Sequence, residues 1–180
     1  YLKSENTEEK FEQIIEKCQN ENIKYIDPDF YPQINIKKED ETLLGLHQWR
    51  RAEEFYPNLF DNIKSETICQ GRIGDCYLIT AMIYLAQKPE LIKDIIHPKS
   101  SLKYGCILVY LYFLGQRIPI IVDTQIPFFS EESKKDPTRP IFSKPRSNDD
   151  SCWFIFIEKA FAKACGDYFS IDSGTTDYAA

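Results

Sequence analysis

Residues 68–87, Ile-Cys-Gln-Gly-Arg-Ile-Gly-Asp-Cys-Tyr-Leu-Ile-Thr-Ala-Met-Ile-Tyr-Leu-Ala-Gln, constrain the fold more than any other stretch of the chain. Leu78, Ile79, Met82, Leu85 and Ala86 recur at helical spacing, so a helix is predicted to begin at Cys76. Gly71 and Gly74 are read as the flexible approach that lets the backbone turn sharply into that helix. Cys76 then stands at the positive end of the helix dipole, where unpaired N–H groups favour a thiolate over a thiol. Six residues upstream, Gln70 carries a side-chain amide. With the N–H of Cys76 it would supply the two donors that a developing oxyanion needs in acyl transfer. An isolated cysteine is more often a small core hydrophobe, and an isolated glutamine a loop residue. The glycines, the helix-mouth position and the spacing occur together here, and that combination favours Cys76 as nucleophile and Gln70 as oxyanion donor.

Bulk properties exclude several other classes. A chain of 180 residues corresponds to about one domain and buries a core without disulfide staples. Its six cysteines include no C-x-x-C pair, and the two histidines, His47 and His97, lie far from any cluster at metal-ligand spacing. Reduced thiols in the cytoplasm are expected, with no cofactor held by this chain. Acidic residues number 28 against 22 basic ones, a formal charge of −6, which argues against nucleic acid as the partner. The short basic clusters Lys37–Lys38 and Lys134–Lys135 read as solvated loop. No stretch reaches the roughly twenty apolar residues of a membrane span, and the first residues do not resemble a signal peptide.

Along the chain, Asn6 and Glu9 resemble a capping box, and Phe11, Ile14, Ile15 and Cys18 give residues 7–19 one apolar stripe. Residues 26–44, with Asp27-Pro28-Asp29-Phe30, read as an extended strap, so 1–46 forms an N-terminal helix and strap and 47–180 the main body. Trp49, Phe55, Tyr56 and Phe60 are expected to anchor the next segment to the core. Pro89 starts a short helix through Ile96, with Leu91, Ile95 and Ile96 facing inward. His97 at its end is assigned no chemistry. The apolar runs 104–114 and 117–122 around Gly115-Gln116 predict a β-hairpin ending at Asp123. Residues 127–150, rich in Ser, Lys, Asp and Pro, read as an exposed loop. Trp153, Phe154, Ile157, Phe161 and Ala164 mark a helix over 151–165 closed by Gly166, expected to lie against the Cys76 helix.

The stretch Cys69-Gln70-Gly71-Arg72-Ile73-Gly74-Asp75-Cys76-Tyr77-Leu78-Ile79 resembles the C-Q-G-x-[LI]-G-D-C-W-[LF]-L motif of the calpains, cysteine peptidases with a papain-like core. Asp27-Pro28-Asp29-Phe30, Trp49-Arg50, Pro119–Asp123, the run Glu158-Lys159-Ala160-Phe161-Ala162-Lys163 after Trp153, and Ser173-Gly174-Thr175-Thr176 echo further calpain segments in the same order. The resemblance implies an α+β, papain-like half-core, mainly helical, with a central nucleophile helix and a small antiparallel hairpin or sheet, forming the first half of a calpain protease core. It implies Cys76 as nucleophile, Gln70 as oxyanion donor and a protein or peptide as substrate.

Three departures qualify the resemblance. Tyr77 replaces the usual tryptophan, keeping a large ring. Thr67 and Ser151 stand where the calpain pattern places calcium-binding acids. A hard cation wants six to eight oxygens with carboxylates among them, so no calcium is expected in this half. Calcium enters only for the parent protein, by family resemblance. The calpain histidine and asparagine come from the second half of the core, and neither His47 nor His97 takes that place. The expectation is therefore an intracellular endopeptidase half that is inactive alone and needs the second half as partner. The alternatives are a catalytically dead calpain-like scaffold for protein–protein contact and a redox module pairing Cys69 with Cys76.

Overall fold

The computed structural model describes residues 6–30, 47–60, 63–129, 138–146 and 149–174. Most of the predicted strap (31–44), the two basic clusters and Thr175-Thr176 lie outside these residues. The described residues form an α+β fold of four α-helices and three two-stranded antiparallel pairs.

Helix α1 (Thr7–Glu21) buries Phe11, Ile15 and Cys18, the predicted stripe. The predicted capping box does not form: Asn6 makes no side-chain cap hydrogen bond. The first turn is held from outside instead, where the Tyr110 hydroxyl donates to Glu8 at 2.7 Å. The stripe packs on one face of the hairpin β3 (Cys106–Phe113) and β4 (Gln116–Asp123), against Cys106, Leu108, Tyr110 and Ile121. Alternation sends Ile107, Val109, Leu111, Ile120 and Val122 to the other face and into the main core. The turn falls one residue earlier than predicted, on Leu114-Gly115, with Phe113 opposite Gln116. Both turn residues have positive φ, 50° and 74°, as a two-residue hairpin of type I′ requires.

β1 (His47–Arg51) pairs with β5 (Gln125–Phe129), from His47 opposite Phe129 to Arg51 opposite Gln125. β2 (Ile68–Cys69) pairs with β6 (Lys144–Pro145). These pairings correct the reading of 127–150 as an exposed loop. Pro127–Phe129 belong to a strand, and Ile141, Phe142 and Ser143 are buried. Partners about 75 residues away decide both, and no local pattern carries that information. Trp49, Phe55, Tyr56 and Phe60 pack on the main core as expected.

Helix α2 (Cys76–Leu85) starts where predicted and buries Leu78, Ile79 and Met82. Helix α3 (Pro89–Ile95) has proline in its first turn; Ile92 and Ile96 face inward, whereas Leu91 is exposed, a correction of one position on a short helix. Helix α4 (Trp153–Cys165) is buried all round from Trp153 to Ala162, which makes it the central rod of the fold. Gly166, at φ 113°, closes it. The helix meets α2 through the Phe161 and Tyr77 rings, 6.4 Å apart and edge-on, as expected.

Two lysines of α4, one turn apart, hold the hairpin base. The Lys159 ammonium, fully buried, donates to Asp123 Oδ1 at 2.5 Å and to the Asp123 and Gln125 carbonyls at 3.1 and 2.6 Å. Asp123 in turn accepts the N–H groups of Asp27 and Gln125, both at 2.9 Å. Lys163 reaches both oxygens of Asp27, at 2.9 and 2.7 Å. The Glu-Lys-x-x-x-Lys spacing thus lets both lysines neutralise the two buried aspartates where the strap, β4 and β5 meet.

Candidate active site

The site is built at the entry to α2. The Asp75 carbonyl accepts the N–H groups of Leu78 and Ile79 at 2.9 and 3.1 Å and so begins the helix. That leaves the N–H groups of Cys76 and Tyr77 without an acceptor among the described residues, as helix geometry requires at a first turn. The Cys76 side chain is exposed at this end, and the Thr80 hydroxyl donates back to the Cys76 carbonyl at 2.7 Å.

Gln70 reaches the same loop from β2. Its Nε2 donates to the Ile73 carbonyl at 2.7 Å, so the amide is fixed over the turn leading to Cys76 and keeps a second N–H. Gly71 and Gly74 serve this turn by absence of bulk rather than by conformational freedom: neither has a positive φ. A Cβ on Gly71 would lie 2.2 Å from the Phe142 carbonyl carbon and oxygen. Arg72 N–H beside it donates to the Ile141 carbonyl at 3.0 Å. The segment 141–143, read from sequence as exposed loop, is therefore the wall against which the Gln70 turn is pressed.

A second brace comes from residues 171–174. The Gly74 N–H donates to Asp172 Oδ1 at 2.5 Å, Ser173 N–H donates to the Gly74 carbonyl at 3.1 Å, and the Tyr77 hydroxyl donates to the Ile171 carbonyl at 3.0 Å. The last contact shows how tyrosine serves at the departure from the family motif: its hydroxyl finds an acceptor while burial lifts its pKa to about 12. Asp172 had no signal in the sequence, because its role depends on a contact 98 residues away.

Asp75 and Glu158 are also new. Both are fully buried and their carboxyl groups face one another. Glu158 accepts the Ser143 N–H at 3.1 Å and the Ser143 hydroxyl at 2.7 Å. Burial and the neighbouring Asp75 push the Glu158 carboxyl well above the usual range, and burial raises Asp75 as well.

The histidines are built into other parts of the fold. His97 packs edge-on against Phe11 at 5.1 Å and accepts the Lys99 N–H on Nδ1, while His47 lies in β1 opposite Phe129. All six cysteines are unpaired thiols. At the two positions of the calcium pattern, Thr67 donates its hydroxyl to the Lys64 carbonyl at 2.7 Å, and Ser151 Oγ is buried with no partner among the described residues. Nearby, Asp149 Oδ1 accepts the Ser151 N–H and Asp150 accepts the Asn58 amide. The donor set at Thr67 and Ser151 does not fit a calcium ion, since neither brings a carboxylate.

The family described as "Calpain family cysteine protease" matches residues 25–180. The chain is 31% identical over 119 residues to the calpain-type cysteine protease ADL1 of Oryza sativa, covering 66% of this chain and 5% of that protein. It is 26% identical over 164 residues to the calpain-type cysteine protease DEK1 of Arabidopsis thaliana, covering 83% of this chain and 7% of the relative. Against the calpain-1 catalytic subunit of Sus scrofa it is 27% identical over 135 residues, 72% of this chain and 18% of that subunit. The chain thus spans a small part of the relatives it matches. With most of its length matched, the chain belongs to the calpain family of cysteine proteases.

Proposed function

We propose that this chain is the nucleophile-bearing half of a calpain-like cysteine endopeptidase. The observations that support the reading are an exposed Cys76 at a helix mouth, its N–H without an acceptor among the described residues, and a Gln70 amide fixed on the loop that leads to that helix. In the parent protein a histidine from the second half of the core would take the Cys76 proton. The sulfur would attack the peptide carbonyl, and the oxyanion would rest between the Cys76 N–H and the free N–H of Gln70. The histidine would then protonate the leaving amine, and water would hydrolyse the thioester. With His97 packed on Phe11 and His47 in β1, neither histidine among the described residues is set against Cys76, and this chain by itself would be a thiol without turnover. Closure of the two halves would be the activating step. Six unpaired thiols suit a reducing, cytoplasmic setting. No described helix is long and apolar enough to cross a membrane.

Thr67 and Ser151 further support a half that holds no calcium. Calorimetric titration of the chain with calcium should give only heat of dilution; saturable binding lost on mutating Asp149 and Asp150 would refute this.

Sequencing the native transcript past the Ala180 codon tests the reading. A Gly-His segment followed by Asn-Pro-Trp is expected. A transcript lacking the histidine or the asparagine would overturn the peptidase reading and leave the scaffold one.

A further inference from the structure

Asp75 occupies the position before the helix where an aspartate ordinarily caps, yet its side chain makes no cap hydrogen bond. It is turned inward. Both of its oxygens are buried, and neither receives an N–H or a hydroxyl from another group among the described residues. Among the described residues, the side chain that faces it is the carboxyl of Glu158, itself fully buried on α4. On its far side Glu158 is already fixed by the Ser143 N–H and hydroxyl. Two acceptor-only groups cannot hold this contact; one proton between them turns repulsion into a strong hydrogen bond.

We propose that Asp75 and Glu158 share one proton at neutral pH, and that the protonated pair positions Cys76 by tying the mouth of α2 to the central helix α4 and to the Ser143 segment. This rests on the reading of Cys76 as the nucleophile. Glu158 is the donor: its acid proton points to Asp75, while its oxygens accept from Ser143. Three consequences follow for the site. The backbone entering Cys76 is anchored at its last residue before the helix. The shared proton keeps the charge beside Cys76 at one unit rather than two. The carboxylate is also drawn away from the cap position, so the N–H groups of the first turn stay open to a substrate oxyanion.

The other titratable groups around the pair set its surroundings. Asp172, from the segment braced on Gly74, adds negative potential at Asp75 and favours retention of the proton. Lys144 of β6 is the cation near Glu158, and Tyr168, fully buried beyond the end of α4, faces the pair with a neutral phenol. Cys76 and Tyr77 complete the shell on α2.

The test uses this chain and needs no proteolytic activity. Infrared difference spectroscopy at pH 7 should show a protonated-carboxyl band that disappears in both Glu158→Gln and Asp75→Asn. In parallel, iodoacetamide labelling is followed on the tryptic peptide of residues 73–93, which contains Cys76 alone. Glu158→Gln keeps a donor towards Asp75 and an acceptor for Ser143, so Cys76 should react within about twofold of the parent rate. Glu158→Ala frees Asp75 to swing out to the cap position and take up the first-turn N–H groups that favour the thiolate, and should slow Cys76 by about fivefold or more, with Cys165 unchanged. Absence of the band in the parent chain, its survival in Glu158→Gln, or Glu158→Ala reacting at the parent rate would overturn the proposal. Should Glu158→Ala fail to fold, the infrared result decides alone. A dead parent enzyme with an intact band would refute the peptidase reading and leave the proton-sharing pair standing.

Discussion

Replacing Asp123 by alanine should cost more stability than any other single change at the hinge between the hairpin and α4. The Lys159 ammonium is fully buried and has three acceptors, of which Asp123 Oδ1 is the only one carrying charge. Burial alone pulls the Lys159 pKa down, and Asp123 is the main group that opposes this. Removing one partner of a buried pair costs about 3–5 kcal/mol, because the remaining charge keeps its desolvation penalty. Two N–H groups, of Asp27 and Gln125, lose their acceptor at the same time, each worth about 1 kcal/mol or more. Even allowing for relaxation the loss should reach about 4 kcal/mol, a large part of the roughly 5–15 kcal/mol that holds a domain together. Urea denaturation followed by tryptophan fluorescence measures it. Lys159→Met combined with Asp123→Leu should recover at least half of that loss, because neither charge is then left unpaired. A loss below about 1 kcal/mol in Asp123→Ala would refute the reasoning, since it would mean that Lys159 finds water or sheds its proton at no cost.

Two further outcomes are expected. Gly71→Ala places a methyl 2.2 Å from the Phe142 backbone, so the Gln70 turn and residues 141–143 must separate, with a loss of about 2 kcal/mol or more in urea unfolding; a change under about 0.5 kcal/mol would show that the two segments are not pressed together. His97 is held below its ordinary pKa chiefly by burial against Phe11, with Lys99 and Arg117 acting the same way and Glu8 and Glu12 opposing. The unfolded chain therefore takes the proton more readily, and the stability due to neutral His97 is fully present above about 6.5 and is lost as pH falls from there through the lower folded value. His97→Gln should remove that part of the acid-side slope, and equal slopes in the two proteins would contradict it.

Much of the fold was legible locally because most of its helices advertise one period. Phe11, Ile15 and Cys18 marked α1, and Leu78, Ile79 and Met82 marked α2, with their predicted positions buried. Where chemistry depended on partners distant in sequence, the reading failed. Asn6 looked like a cap, but Tyr110, 102 residues from Glu8, holds that turn. The polar stretch 127–150 concealed β5, β6 and the Phe142 wall, since its buried residues are short islands without a period. Gly71 was correctly singled out for the wrong reason: the neighbour that forbids a Cβ is invisible in one dimension. Likewise Asp75 was seen only as a letter of a motif, and its contact with Glu158 needed α4 laid beside α2.

The central claim is that Cys76 and Gln70 are the chemistry of this family member. Its most direct test is peptide hydrolysis by the full-length product of the native transcript, compared with Cys76→Ala and Gln70→Ala in that same protein. Loss of all turnover in Cys76→Ala, with a fall in kcat of about a hundredfold or more in Gln70→Ala, is the expected result. Turnover that survives Cys76→Ala would contradict the account.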